Sequence, residues 1–118
     1  MGELSEVLKE QIVGEPTKVE SIAVEPASSI FGKSARNPDR QMIRITCENG
    51  ANVVTALPQG VVYDGERWHV EDHAAAARSL RNPKSKLAAW MRRYGDEPHV
   101  GQEVSTYLDE QGFMRVEL

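Results

Sequence analysis

The sequence predicts a mixed α+β chain that is mainly β, a small sheet or barrel of hairpinned strands with helices packed on it. Two observations carry that expectation. Short apolar runs alternate at period two between clusters of turn-forming residues, and one helix in the second half is punctuated at both ends. A chain of 118 residues with 40% apolar and 27% charged residues has the size and composition of one globular domain with a single modest core.

The helix is read over Asn82–Gly95. Asn82 is a good N-cap, Pro83 suits the first helical position, and Gly95 can take the left-handed turn that ends it. Leu87, Trp90, Met91 and Tyr94 form one stripe, and Lys84, Lys86, Arg92 and Arg93 occupy the rest of the circumference. That stripe calls for burial against the neighbouring strands.

Residues 3–13 place Leu4, Val7, Leu8 and Ile12 on one helical face before Gly14 and Pro16, an amphipathic helix suited to packing on the domain or to self-association. Residues 1–16 are read as this helix and a linker, and 17–118 as the β-rich domain. Thr17–Glu25 is the first strand, with one slip: Val19 falls on one face and Ile22 and Val24 on the other, as a β-bulge near Ser21 would produce. Pro26–Arg40 is rich in turn formers and is expected to be a long loop, with Lys33, Arg36 and Arg40 around Phe31. Bases grouped with an aromatic can combine phosphate contact with base stacking, and the same composition also fits a mobile surface loop.

Met42–Cys47 and Asn52–Leu57 form a hairpin across Asn49-Gly50, and Val61–Val70 holds a second around Asp64-Gly65. Glu71–Arg81 reads as a helix with acids in its first turn. The chain closes with a hairpin in which Val104, Thr106, Leu108 and Met114, Val116, Leu118 make one face, leaving Tyr107, Phe113 and Arg115 on the other. Tyr107 and Phe113 also suit packing under the N-terminal helix or at a subunit interface.

The net charge of −4 argues against a protein that coats duplex DNA by bulk electrostatics, but the charge is segregated. Residues 31–44 carry four cations against one acid, and residues 74–95 carry six cations and no acid. No run is long and apolar enough to span a bilayer, no secretory signal is read at the N-terminus, and a lone Cys47 can make no internal disulfide, so a cytoplasmic setting is expected. His69, Asp72, His73, Cys47 and His99 match no metal-ligand spacing, and no phosphate loop, nucleophile elbow or distinguished carboxylate pair is present. No enzyme, metal or other cofactor is expected.

The order of strand, long loop, two hairpinned strands, helix and two hairpinned strands, preceded by a short helix, is that of an OB-fold, a five-stranded Greek-key barrel with its connector helix between strands 3 and 4. Over Thr17–Leu118, and especially across Pro83–Gly95 and Val100–Val104, the chain resembles OB-fold single-stranded-DNA-binding proteins of phage and archaeal type. The 58–73 segment and the acidic net charge depart from the simplest member. The resemblance implies a small viral or archaeal protein without catalytic activity that binds single-stranded DNA or RNA across strands 2 and 3, between the first loop and the last hairpin turn. Phe31, Lys33, Arg36, Arg40, Arg44, Tyr107, Phe113 and Arg115 would then make the contacts, with the helix cations set apart at the barrel end. The other expectation is a protein–protein interaction or assembly module, docking through its segregated charge or forming a homodimer through the N-terminal helix.

Overall fold

The structure, a computed structural model, describes residues 16–118, so the helix and linker expected over residues 1–16 lie almost wholly outside it. Five antiparallel strands make one sheet: β1 (Pro16–Pro26), β2 (Gln41–Cys47), β3 (Asn52–Ala56), β6 (Glu103–Leu108) and β7 (Met114–Val116). Their order is β3-β2-β1-β6-β7. The two edge strands, β3 and β7, curl toward each other and nearly close the sheet into a barrel, an architecture compatible with an OB-like barrel. A separate hairpin, β4 (Val61–Tyr63) with β5 (Trp68–Val70), follows β3. Three α-helices complete the described residues: α1 (Ala27–Phe31), α2 (His73–Arg81) and α3 (Lys86–Tyr94).

The slip in the first strand is a register shift. Val19 pairs with Cys47 and Ser21 with Thr46, which leaves Glu20 as the extra residue. One inserted residue reverses the parity of everything after it, so Ile22 and Val24 rejoin Val19 on the inner face, opposite Ile45 and Ile43. The bend also lets β1 serve two partners, with Pro16–Lys18 pairing to β6 and the remainder to β2.

Two expectations are corrected. The Pro26–Arg40 segment is not a plain loop, because α1 and a 3-10 turn at Gly32–Ser34 occupy its first half. Hydrogen bonds from the Ala27 N–H to the Arg40 carbonyl (2.8 Å) and from the Ser28 N–H to the Pro38 carbonyl (3.0 Å) hold its two ends together. The second correction concerns helix starts. Asn82 ends α2, and α3 begins at Lys86 behind Ser85, whose hydroxyl accepts the Ala88 N–H at 3.2 Å. Asn82 instead accepts the Lys84 N–H within the turn between the helices. Likewise α2 starts at His73, with Asp72 capping it through the Ala75 N–H at 3.1 Å rather than lying inside its first turn.

Val19, Ile45, Cys47, Ala51, Val53, Val104 and Val116 line the core, and Trp90 of α3 fills it at 1% exposure. The indole N–H donates to Gln102 Oε1 at 3.1 Å, satisfying both polar groups where water is excluded. Tyr94, one turn on, packs against the Trp90 ring with centroids 5.2 Å apart and places its hydroxyl 2.6 Å from the Glu117 carbonyl. These bonds fix α3 to β6 and to the chain after β7, which sets the wall of the groove described next.

Candidate functional site

At the seam where β3 and β7 face each other without a hydrogen-bonded ladder, an open groove of about 850 Å³ crosses the surface. Four parts of the chain supply its walls. Phe31 comes from the end of α1, Asn52 and Val54 from β3, Lys86 and Arg93 from α3, and Tyr107 and Arg115 from β6 and β7. The alternation of each strand explains the set. Val53 and Val116 point into the core, so their neighbours Asn52, Val54 and Arg115 point out. Tyr107 pairs with Arg115 across β6 and β7 and shares that outward face.

Phe31 and Tyr107 are 48% and 36% exposed, so two rings in the lining of the groove remain accessible. The cations differ in how far they are neutralised. Arg93 reaches Glu117 at 3.0 Å and Arg115 reaches Asp109 at 2.9 Å, whereas Lys86 has no ion pair among the described residues. Asp109 also accepts the N–H groups of Gln111 and Phe113, each at 2.9 Å. Those bonds, the Phe113 N–H foremost, together with Arg115 hold its carboxyl below the usual aspartate range. The hairpin turn is thereby braced and Arg115 is aimed by its partner.

A second concavity continues from Phe31 over Met42 and Ala56 to Arg36 and Arg40. Of the residues expected to bind, Phe31, Tyr107 and Arg115 therefore meet in one groove, and Phe31, Arg36 and Arg40 meet in its continuation. Lys33, Arg44 and Phe113 line neither concavity. Lys33 lies in the exposed 3-10 turn. Arg44 sits beside the groove residue Val54, but its Nε turns the other way, to 3.6 Å from Glu25 on β1. Phe113 stands 59% exposed on the turn, where the Arg115 guanidinium lies 5.8 Å from its ring centroid.

The chain matches no protein-family model, no curated protein and no solved structure. Sequence reasoning set the α3 cations apart from the ligand face, yet Lys86 and Arg93 stand in the groove wall. The acid-free run 74–95 was the signal for them; what it lacked was the packing of α3 beside the β3–β7 seam.

The other polar clusters are self-contained. His69 bonds Asp64 at 2.7 Å within the β4–β5 hairpin, whose Trp68 indole N–H donates to the Pro98 carbonyl at 2.8 Å. Cys47 is buried in the core, and burial pushes its thiol pKa up to about 11. Among the described residues, no three or more His, Cys, Asp or Glu side chains are grouped to hold a metal ion, and no helix is long and apolar enough to cross a membrane.

Proposed function

We propose that the groove at the β3–β7 seam binds single-stranded nucleic acid, without catalysis. In this reading β1, β2, β3, β6 and β7 are the strands of an OB-like Greek-key barrel and α3 is its connector helix. One observation carries the proposal. Two exposed rings, Phe31 and Tyr107, sit 76 positions apart in the sequence yet line one groove that also holds Lys86, Arg93 and Arg115. Unpaired bases have flat apolar faces that stack on such rings, and their phosphates attract the flanking cations. A duplex hides those faces. Asp109 and Glu117 give way to phosphate as partners of Arg115 and Arg93 when a strand enters.

The test is fluorescence polarisation of labelled oligonucleotides over a salt series. Wild-type protein is expected to bind with a negative slope of log affinity against log salt. Phe31→Ala with Tyr107→Ala should remove roughly 1–3 kcal/mol per lost stack while leaving the salt slope unchanged. An absence of salt-dependent binding at micromolar protein refutes the proposal.

A second reading, a protein-docking module, has support in Leu108 and Phe113, two large apolar side chains left exposed near the β6–β7 turn. Light scattering of the full chain and of a chain lacking residues 1–14 tests self-association, and an unchanged mass removes residues 1–14 from any assembly.

A further inference from the structure

Beyond Arg40 the surface does not flatten. A third concavity, of about 540 Å³, opens between the end of β3 and the α2–α3 turn, and Arg40, Arg78 and Lys84 converge on it with Ser79 and Asn82. Arg40 and Ala56 line this cleft and the Phe31 concavity alike, so the surface is continuous from the main groove to the helix turn. The three cations come from three separate parts of the fold: the last residue before β2, the middle of α2, and the turn before α3. None of the three has an acid within ion-pair distance among the described residues, in contrast to Arg93 and Arg115 in the main groove. No acidic side chain lines the cleft. Uncompensated like charges brought together repel one another, and an oligoanion relieves that repulsion.

The geometry points to the Arg40–Arg78–Lys84 cleft as a phosphate subsite that holds the backbone of the same single strand after it leaves the Phe31–Tyr107 groove. The inference rests on the reading of that groove as a nucleic-acid site and adds a second anchoring point to it. The main groove offers stacking with largely compensated charge, and the cleft offers uncompensated charge and no aromatic ring. Stacking and charge neutralisation are thus divided between the two ends of one path. Affinity should consequently depend on strand length, since only a strand long enough to span both concavities gains the second set of contacts.

The experiment compares oligothymidylates of about 5 and about 15 nucleotides, within the range that a single barrel of this kind occupies. Each is titrated against wild type, against Arg78→Ala with Lys84→Ala, and against Arg67→Ala with Arg92→Ala, which removes the same charge from exposed positions outside these concavities. Circular dichroism confirms that all three are folded. For the long strand, the loss of two cations in the Arg78/Lys84 variant, at about 0.7 in slope for each phosphate contact, should flatten the salt slope by about 1.4 and cost roughly 25-fold in affinity at roughly 0.1 M salt. The short strand should bind that variant and wild type alike, and the Arg67/Arg92 variant should match wild type on both. If the long strand binds wild type no better than the short one, or if the two charge variants lose affinity equally, the subsite is overturned while the main groove stands. If wild type binds neither length with salt dependence, the nucleic-acid reading falls and the subsite falls with it.

Discussion

Trp90 offers the sharpest test of how α3 is held in the sheet. Its ring is 1% exposed among Val19, Ile45, Val53 and Val104, and its one polar group is bonded to Gln102, itself buried. Trp90→Ala removes nearly the whole ring volume and should cost roughly 3–5 kcal/mol, a large part of the roughly 5–15 kcal/mol by which a domain is stable. Trp90→Phe keeps most of the apolar contact but leaves Gln102 Oε1 with only the His99 N–H at 3.3 Å. That change should cost about 1–2 kcal/mol. For about 100 residues each kcal/mol lowers Tm by about 4–8 °C, so the two variants should separate clearly in a thermal melt. Urea unfolding followed by circular dichroism gives the free energies, and Trp68 remains as a fluorescence reporter. A double-mutant cycle of Trp90→Phe with Gln102→Leu should return a coupling of about 1 kcal/mol. A loss below about 1 kcal/mol for Trp90→Ala would refute the buried-ring account.

Three further outcomes follow from local geometry. Gly60 has φ +78°, and a Cβ there would lie 2.4 Å from the Asp72 carbonyl oxygen, whereas Gly65 at φ +104° has open space; Gly60→Ala should destabilise more than Gly65→Ala in urea titrations, the excess over the roughly 1–2 kcal/mol of backbone strain reporting the clash. Because Asp109 titrates below its usual value, its contribution to the β6–β7 turn is present above a pH of about 4 and is lost as pH falls through the lowered value. Amide exchange at Gln111 and Phe113 should show that loss in wild type and no such pH dependence in Asp109→Asn. Cys47 has its thiol raised by burial from 9.0 to about 11, so it should resist a chromogenic disulfide reagent until the chain unfolds, and the stability tied to it should decline between those pH values.

The strand framework was legible wherever the signal was local. Asn49-Gly50 marks the β2–β3 turn, with Gly50 at φ +89°, and the broken alternation around Ser21 located a real bulge. The start of α3 was misread because Asn82-Pro83 ends one helix as readily as it begins another. The preceding helix was read correctly to Arg81; what the local signal missed is that Asn82 closes a turn onto the Lys84 N–H and leaves the capping of α3 to Ser85. At the site, period-two alternation placed Tyr107 and Arg115 on one face. It could not show that Arg44 turns toward Glu25, since that depends on which strand lies beside β2. Nor could it show Lys86 and Arg93 at the groove, because helical periodicity tells which face is apolar and not what borders the polar one.

The division of β1 between two partners bears on the order in which the molecule can assemble. The β2–β3 and β6–β7 hairpins each join neighbours through a short turn, within the microsecond reach of a local search. The Pro16–Lys18 end of β1 cannot mature that way, because Thr17 must find Val104 across nearly the whole described chain. Closing so long a loop carries an entropic cost before any ladder bond repays it, which puts the β1–β6 seam late and the overall rate toward the slow, non-local end for a domain of this size. Until that seam forms, Val19 and Val104 cannot meet around Trp90, and the inner faces of the hairpins stay wet. The interval is the one in which the chain would be exposed to aggregation.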